Sequence, residues 1–424
     1  MKFVLACYGT RGDIEPGIVL GRELLRRGHQ VQMAVAPDMV AGVEAAGIPA
    51  VGYGLDTQAE IDSHRDFWTS LFRNFWKIRE VAKSWREVWD RGIQSSEEMS
   101  ATLVSLAEGA DVLVSGISFQ EGAANIAEYY DIPLVTLHTF PMRAHGYVLP
   151  FLPAWAGRSA MTALWWLHWR MTKKVDDTQR RELGLPKATA PSWRRIADRG
   201  SLELQAYDEI CFPDLASEWS EFANQRPFVG ALTMESPTAA DNEVASWIAA
   251  GTPPILFGFG SIPVASPADT LDMIAEACTQ LGERALVCSA WSDFTGLPQF
   301  EHVKVVDGVD FEATFPVCRA VVHHGGAGTT AVSLRAGIPT LILWTWPDQS
   351  LRGGAVTRLR VGTARRFSST NLTTLVGDLR TILRPEYRDR AREVAPRITK
   401  PAESISVATG LLETLPAAGA AADR

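Results

Sequence analysis

The chain has 424 residues, which corresponds to about two domains of ordinary size. Its composition, 46% hydrophobic and 21% charged, is that of a soluble globular protein, and its net charge of -8 excludes the dense basic surface that nucleic-acid binding requires. No segment approaches the roughly 18–20 uninterrupted apolar residues of a transmembrane helix, which excludes an integral membrane protein.

Short apolar, β-branched segments alternate with helical segments along the chain, and this alternation is typical of parallel βαβ units. In the first half we predict strands at residues 2–7, 30–36, 111–115 and 132–137. In the second half we predict them at residues 254–258, 284–289, 303–306, 320–323 and 340–343. The pattern predicts the α/β class, with two Rossmann-like, doubly wound domains.

The boundary between the two domains is predicted from a change in composition. Residues 1–227 are predicted to form the first domain and residues 245–384 the second. Residues 228–244 carry Gly, Pro, Ser and acidic residues and are predicted to be a linker. The low-complexity residues 415–424 are predicted to be a disordered tail.

The first predicted strand ends in the sequence GTRGD, and Pro16 suits the first turn of the helix that follows. Asp13 lies in this segment, where a carboxylate is able to accept the proton of an attacking hydroxyl group. The alternative is that Asp13 only caps the helix, and the residues by themselves favour the cap.

The first half also carries more aromatic residues than a sheet requires, since nine of the fourteen Trp residues fall between positions 68 and 193. Trp68 and Phe72 belong to a series of aromatic and basic residues at helical spacing in residues 60–91. Residues 151–171 are denser still in Trp.

In the second half, the sequence GFGSIP at residues 258–263 places Ser261 at a strand end, where its hydroxyl group is able to contact a diphosphate. An ordinary turn is the alternative. The segment is not a dinucleotide fingerprint, because Pro263 stands where GxGxxG requires its third glycine.

The strongest signal is HHGGAGTT, residues 323–330, between a predicted strand and a helical segment. A glycine-rich strand end that opens a helix presents backbone N–H groups and the positive end of the helix dipole, and this geometry binds a diphosphate. Buried histidines in a glycine-rich turn are the alternative. The predicted ligand contacts are His324, Gly326, Ala327, Gly328 and Thr329.

After the next predicted strand comes WPDQ, residues 346–349. The acid and amide of Asp348 and Gln349 stand at the carboxyl end of a parallel strand, where they are able to bind vicinal sugar hydroxyls. Without the preceding phosphate motif, such a pair is more often part of an ordinary loop.

Neither a DxD pair nor an HExxH motif occurs in the sequence, so we expect no metal and no resident cofactor. The five cysteines are widely spaced, and several lie in apolar segments, which indicates a reducing, cytoplasmic compartment. Contact with the inner face of a membrane stays open.

Together, GTRGDIEP, GFGS, HHGGAGTT, LRAGIPT and DQ resemble family-1 glycosyltransferases of the GT-B fold. The most similar subset is the actinobacterial enzymes that glycosylate glycopeptides and glycopeptidolipids, followed by sterol glucosyltransferases. The resemblance covers nearly the whole chain and is loose over residues 55–220. It implies two domains that face each other across a cleft, with a final helix at about 385–412 joined to the first domain.

The resemblance also implies roles for individual residues. Asp13 stands at the position of the general base, where many relatives carry a histidine. Trp291 and Val309 match positions near the nucleotide base, while His324, Thr329 and the Asp348–Gln349 pair match donor-binding positions. The implied reaction is a metal-independent, inverting transfer of a sugar from a nucleotide diphosphate to a hydroxyl of a hydrophobic acceptor, such as a lipopeptide, a glycopeptide or another natural product.

The sequence departs from glucose-using relatives at WTWPDQ, where Trp344 and Trp346 would make one wall of the predicted sugar site apolar. Such a wall suits a 6-deoxyhexose carried on TDP. The predicted acceptor contacts are Trp68, Phe72, His138 and Trp346. The aromatic helices either form an acceptor cleft, contact a membrane surface or only pack the first domain.

Four alternatives remain. The nearest is a UDP-glucose-dependent sterol or lipid glucosyltransferase. A GT-B sugar-nucleotide epimerase would need several acid/base groups and no acceptor site, and a nucleotide-sugar-binding protein without activity would not need Asp13. An NAD dehydrogenase is least favoured, because no strand is followed by a complete GxGxxG.

Overall fold

A computed structural model of the chain describes residues 1–57, 78–148, 153–260, 266–289 and 298–417. The chain divides into two compact units. Unit 1 comprises Met1–Ala206, Glu218–Pro227 and Ile405–Arg424, and unit 2 comprises Tyr207–Ser217 and Phe228–Ser404. Each unit contains one parallel sheet with helices, so the predicted α/β class with two Rossmann-like domains is confirmed.

Six described strands form the sheet of unit 1, in the order β3-β2-β1-β4-β5-β6, and all its neighbours pair in parallel. The strands are β1 (Lys2–Ala6), β2 (Gln30–Val35), β3 (Ala50–Gly52), β4 (Val112–Ser115), β5 (Leu134–His138) and β6 (Leu202–Gln205). The chain moves outward from β1 to β3 on one side and from β4 to β6 on the other. The strand order therefore reverses between β1 and β4, and in open parallel sheets such a reversal opens a crevice at the carboxyl ends of the two strands.

The helices of unit 1 are α1 (Arg11–Arg26), α2 (Val40–Ala45), α3 (Ile78–Ala107), α4 (Gln120–Tyr130), α5 (Ala154–Glu182) and α6 (Ser192–Asp198). Two further helices carry residues of both units: α7 (Leu215–Glu218) and α15 (Pro401–Glu413).

Unit 2 repeats the arrangement with six described parallel strands in the order β12-β11-β10-β7-β8-β9. The strands are β7 (Ile255–Gly258), β8 (Ala285–Cys288), β9 (Val303–Val306), β10 (Ala320–His323), β11 (Thr340–Trp344) and β12 (Gly362–Arg366). Its helices are α8 (Asp241–Ala249), α9 (Pro267–Leu281), α10 (Phe311–Thr314), α11 (Ala327–Ala336), α12 (Pro347–Leu359), α13 (Leu372–Ile382) and α14 (Pro385–Val394). Here the strand order reverses between β7 and β10.

The central strands β1, β4, β7 and β10 are mostly apolar and buried because helices cover both faces of each sheet. In unit 2, Ile255 and Phe257 of β7 pack into one core with Val322 of β10, while Leu256 and Val321 pack into a second core. Adjacent residues of one strand thus enter opposite cores, as the period of two requires. None of the described helices combines the length and the apolar character that crossing a membrane requires.

Three strands, β3, β6 and β12, were not among the predicted ones. In β6, Glu203 and Gln205 are fully buried, and Glu203 forms ion pairs with Arg143 and with Arg226, whose Nε lies 3.0 Å from the carboxylate. The polar residues of this strand are therefore satisfied by side chains from elsewhere in the unit. β12 is an edge strand of mostly partly buried residues with two arginines, and β3 has only three residues.

The predicted linker at residues 228–244 belongs to unit 2 and is anchored there. Val229 and Leu232 are buried, and the hydroxyl of Thr233 accepts a hydrogen bond from Arg335 (2.6 Å). The composition of the segment indicated a linker, but its apolar residues are part of the core.

The predicted assignment of residues 385–412 to the first domain also differs from the structure. Residues up to Ser404 group with unit 2, where Ala391 and Val394 of α14 are buried. Only the part from Ile405 onward groups with unit 1, as do residues 218–227, whereas residues 207–217 group with unit 2. Residues 418–424 of the predicted disordered tail lie outside the described residues.

Candidate functional site

Three loops leave the carboxyl ends of three neighbouring strands in unit 2. β10 lies between β7 and β11, and His323 at its end is in register with Gly258 on one side and Ile342 on the other. The loops that follow carry GFGS, HHGGAGTT and WPDQ. The three motifs therefore meet at the point where the strand order reverses, which is where open α/β sheets bind ligands. Ser261 of the first loop, and the predicted base contact Trp291, lie outside the described residues.

The N-terminus of α11 follows the glycines directly. Gly326 is its N-cap, no side chain caps the helix, and no acidic residue stands in its first turn. The backbone N–H of Thr330 donates to the Gly326 carbonyl at 2.9 Å. The three N–H groups before it, those of Ala327, Gly328 and Thr329, have no acceptor within the helix. With the helix dipole behind them, they form a site for an anion.

Gly325 sets the path of the loop. Its φ of +92° is a conformation that favours glycine. A Cβ atom here would lie 2.9 Å from Cγ2 of Ile342 and 3.2 Å from Cβ of Gln349. The absence of a side chain thus lets the glycine-rich loop pack directly on the WPDQ segment.

His323, the first histidine of the motif, is fully buried. Its Nδ1 accepts a hydrogen bond from the Gly325 N–H at 3.0 Å, which places the proton of the neutral ring on Nε2. Burial holds the pKa of His323 well below its usual value, and the nearby His324 and Arg352 lower it further. His323 received no role from the sequence, and its role in the structure is to fix the backbone of the loop.

The ring of His324 lies against two glycines, Gly260 and Gly326. A Cβ atom on Gly326 would come within 2.6 Å of Nε2, and one on Gly260 would overlap the ring. Burial, followed by the positive charge of Arg352, lowers the pKa of His324 to about 4. The residue is therefore neutral near pH 7, and its ring offers one N–H donor without a positive charge.

Gln349 has a structural role that the sequence did not predict. The side chain is buried, and its carbonyl oxygen accepts hydrogen bonds from the N–H groups of Thr345 (2.8 Å) and Trp346 (3.1 Å). These bonds cap α12 and fix the loop that precedes it. Both bonds use the carbonyl oxygen of the side chain and not its amide nitrogen.

Asp348, the neighbour of Gln349, forms an ion pair with Arg352 one turn along α12, with 2.7 Å between Oδ2 and Nη1. The Asp348 side chain keeps 32% of its surface exposed, and that of Arg352 keeps 9%. The arginine therefore offsets the negative charge of the Asp348 carboxylate.

Two other predicted contacts in unit 2 have contrasting surroundings. Val309 is buried in the core cluster with Leu256 and Phe315, so only its backbone is available to a nucleotide base. Trp346 is the N-cap residue of α12 and is partly exposed.

In unit 1, Asp13 lies in the first turn of α1, directly after the loop that leaves β1 at the reversal point. Its Oδ2 accepts hydrogen bonds from the backbone N–H (2.8 Å) and the hydroxyl (3.0 Å) of Thr10, the N-cap residue. Gly9, with φ +134°, leaves room for this carboxylate, because a Cβ atom there would lie 2.5 Å from Oδ2. The structure thus shows the capping contacts, while the partly exposed side chain keeps the catalytic role open.

His138, a predicted acceptor contact, lies at the end of β5 with its ring fully buried. Gln120 lies 3.4 Å from Nε2 and Gln205 lies 3.3 Å from Nδ1. Burial, followed by the charges of Arg143 and Arg226, holds the pKa of His138 well below its usual value. Trp68 and Phe72 lie outside the described residues.

All five cysteines are free and buried, and burial raises the pKa of each thiol to about 12. They pack as small apolar side chains, as the sequence predicted. In the part of the chain that the structure describes, no group of three or more His, Cys, Asp or Glu side chains is arranged to hold a metal ion.

Comparisons with known sequences match both units. Residues 3–145 match the glycosyltransferase family 28 N-terminal domain, and residues 285–413 match the erythromycin biosynthesis protein CIII-like C-terminal domain. The chain is 55% identical over 413 residues to a glycosyltransferase of Mycobacterium leprae, covering 97% of this chain and 96% of that protein. It is 26% identical to glycosyltransferase GtfE of Amycolatopsis orientalis, with 93% of each chain covered.

Solved structures show the same fold. The glycotransferase of kitacinnamycin superposes with a TM-score of 0.71 at 16% identity, covering 98% of this chain and 99% of that one. Glycosyltransferase VinC, solved in complex with dTDP, gives a TM-score of 0.63 at 16% identity, covering 97% and 99%. The sequence relatives and the two doubly wound units together confirm the resemblance drawn from the motifs, and the chain belongs to the GT-B glycosyltransferases.

Proposed function

We propose that the protein transfers a sugar, with inversion and without a metal ion, from a nucleoside diphosphate to a hydroxyl group of a hydrophobic natural product. The favoured donor is a 6-deoxyhexose carried on TDP. The observation that carries the proposal is the uncapped N-terminus of α11, which meets the Asp348–Gln349 segment at the reversal point of the unit 2 sheet.

The diphosphate is assigned to the first turn of α11. The N–H groups of Ala327, Gly328 and Thr329 supply donors, and the hydroxyl of Thr329 and the neutral ring of His324 supply two more. Preorganised donors of this kind stabilise the negative charge that grows on the leaving diphosphate. The same donors take the place of a divalent cation.

The sugar is assigned to Asp348 and the amide nitrogen of Gln349. Both are held in place by contacts within unit 2, Asp348 by Arg352 and Gln349 by its cap on α12. Trp344 and Trp346 are partly exposed beside them, which favours a sugar that lacks a hydroxyl. The dTDP bound to VinC supports thymidine as the nucleoside.

Asp13 is assigned as the general base. The acceptor hydroxyl gives its proton to the carboxylate, its oxygen bonds to the anomeric carbon, and the bond from that carbon to the diphosphate oxygen breaks. One displacement inverts the anomeric configuration. A natural-product acceptor is supported by the likeness to the glycotransferase of kitacinnamycin.

The first test is a thermal shift of the purified protein with TDP, UDP, GDP and NAD. A ligand at about 100 times its dissociation constant stabilises the folded state by roughly 2.7 kcal/mol, and we expect this effect with TDP. Thr329→Val should reduce the shift, whereas Thr381→Val on α13 should leave it unchanged. No shift with any diphosphate would refute the donor site, and a larger shift with UDP would favour a UDP-glucose-dependent sterol or lipid glucosyltransferase.

The sugar is tested by turnover with TDP-rhamnose, TDP-6-deoxytalose and UDP-glucose. We expect the deoxysugars to be preferred, because the exposed surface of Trp344 and Trp346 offers no hydrogen-bond partner to a 6-hydroxyl except the indole N–H groups. A clear preference for UDP-glucose would contradict the 6-deoxyhexose assignment and leave the transferase assignment in place.

A further inference from the structure

One side of the first two-thirds of α5 exposes large apolar side chains. Five residues of this helix are more than two-fifths exposed: Trp155 (66%), Leu164 (63%), Leu167 (53%), Trp166 (51%) and Met171 (45%). They are five of the nine large apolar residues that are exposed in the described part of the chain. Such a concentration on one helix marks an interaction surface.

The exposed residues occupy one half of the helix circumference. At about 100° per residue, Trp155, Trp166, Leu167, Leu164 and Met171 fall within one continuous half-turn. The remaining half carries the buried residues Gly157, Met161 and Trp169. The helix therefore has two apolar sides, one packed within unit 1 and one facing solvent.

Contacts on the buried side hold the helix firmly. A Cβ atom on Gly157 would lie 3.0 Å from the carbonyl oxygen of Gly146, so the two backbones touch. Trp165 donates from its ring N–H to the Met142 carbonyl at 3.1 Å. Near the other end, the buried Arg180 donates to Asn125 at 2.8 Å. The exposed side is thus presented by a fixed helix.

The exposed side also carries positive charge. From residue 154 to residue 175, α5 has five basic residues and no Asp or Glu: Arg158, His168, Arg170, Lys173 and Lys174. Three of them face acidic partners: Arg158 lies 3.3 Å from Glu218, His168 lies 3.7 Å from Glu121, and Lys173 lies 3.1 Å from Asp177.

The other two basic residues lie within the exposed half-turn. Arg170 is exposed with its guanidinium 5.5 Å from the centre of the Trp166 ring, and Lys174 is exposed one turn further along. These two cations stand between Trp155 and Trp166 on one side and the leucine and methionine side chains on the other.

We propose that this surface, the outer face of α5 (Trp155, Leu164, Trp166, Leu167, Arg170, Met171 and Lys174), binds a phospholipid bilayer that contains anionic lipids. Tryptophan places its ring among the acyl chains and its N–H among the headgroups. Arginine and lysine contact the lipid phosphates, and a helix with both lies in the plane of the interface. A second copy of this chain is less suited, because a self-paired outer face would bring the cations of both copies together.

The test is sedimentation of the full chain with two kinds of vesicles, phosphatidylcholine alone and phosphatidylcholine mixed with phosphatidylglycerol. We expect binding to the mixed vesicles, weaker at high salt because the electrostatic part is screened. Arg170→Gln with Lys174→Gln should lower the partition coefficient about fivefold for each charge. Absence of binding to the mixed vesicles would overturn the proposal.

Trp155→Ser with Trp166→Ser should abolish binding, whereas Tyr129→Ser, which removes a 48% exposed aromatic ring from α4, should preserve it. Melting temperatures close to that of the unmodified chain show that the variants are folded. Unchanged binding by the Trp double variant contradicts the proposal. So does a dimer in sedimentation velocity that the Trp double variant dissociates, because a second copy would then be the occupant of the outer face.

Discussion

Two hydrogen bonds from Thr10 hold one oxygen of the Asp13 carboxylate. Because an amide oxygen is able to accept the same bonds, two variants of Asp13 distinguish its structural role from a catalytic one. Asp13→Asn keeps an oxygen that accepts these bonds but loses the basic carboxylate. We expect its unfolding free energy to change little and its turnover to fall by about 10²–10⁴-fold. Asp13→Ala loses the cap as well and should cost about 1 kcal/mol of stability. Turnover and urea unfolding measure the two effects, and an active Asp13→Asn enzyme would exclude Asp13 as the base.

Because of its low pKa, His324 is neutral near pH 7, and this determines how much it should contribute to binding of the nucleotide. A hydrogen bond from a neutral N–H group to a charged phosphate contributes about 1.5–3 kcal/mol to the binding free energy. His324→Ala should therefore weaken TDP binding by roughly one to two orders of magnitude. His324→Gln, which retains an N–H donor, should weaken it less. Calorimetric titration near pH 7 measures both. Equal affinities for His324→Ala and the unmodified chain would show that the ring does not contact the phosphates.

At the scale of the helix, α12 offers a matched pair of glycines. A Cβ atom on Gly353 would meet Cβ of Ala364 at 2.7 Å, whereas one on Gly354 would enter open space. Gly353→Ala should destabilise unit 2 by about 1–3 kcal/mol through overpacking. Gly354→Ala should stabilise it by up to about 1 kcal/mol, since alanine favours the helix.

Urea unfolding followed by far-UV circular dichroism compares the two glycine variants. The predicted result is a loss of stability for Gly353→Ala and a gain for Gly354→Ala. Equal effects of the same sign would mean that the packing of α12 on β12 does not determine the outcome.

The same scale shows what could be predicted from sequence. Most of the nine predicted strands were found because they are short apolar runs, and HHGGAGTT was found because its glycines stand at a strand end. β6 was missed because its buried Glu203 is paired with Arg143 and Arg226. Both arginines lie outside the strand, so the strand's own sequence does not show them. The cap formed by Gln349 was missed because the residue type does not show whether the side-chain oxygen faces the backbone or a ligand.

His138 also shows that residue type and position in a strand do not identify the neighbours of a side chain. It was predicted to contact an acceptor, and it stands at the end of β5, where ligand-binding residues of parallel sheets lie. Gln120 and Gln205, from α4 and β6, enclose its ring. A site residue and a buried polar residue look alike at a strand end until the neighbouring elements are placed.

For the molecule as a whole, four histidines with lowered pKa values link stability to pH. Burial lowers the pKa of His145 and His324 to about 4 and that of His138 and His323 well below the usual value. The unfolded chain therefore takes up protons below about pH 6.5 that the folded chain does not. Their contribution to stability is complete above that pH and is lost as the pH falls, at up to about 1.4 kcal/mol per pH unit for each residue.

Three carboxyl groups with raised pKa values, caused mainly by burial, oppose this effect: Glu121, Asp208 and Glu283. The histidines outnumber them, so we expect the unfolding free energy to decrease from about pH 7.5 to 5.5. Urea unfolding at several pH values measures it, with each unfolding transition fitted separately. Stability that is constant or rises towards pH 5.5 would contradict the assignment of neutral, buried rings.

Unit 1 is assembled from distant parts of the chain, and one imidazole ring lies where they meet. The amino group of Met1 is 3.4 Å from Nδ1 of His29, and Glu413 of α15 is 2.9 Å from Nε2 of the same ring. Residues 1 and 413 are thus separated by little more than one side chain. A short peptide joining them would bring residues 405–413 next to β1 in a circularly permuted chain. Unit 1 would then be nearly continuous, and its folding could be studied with residues 405–413 retained, including the ion pair between Glu413 and Arg27 at the end of α1.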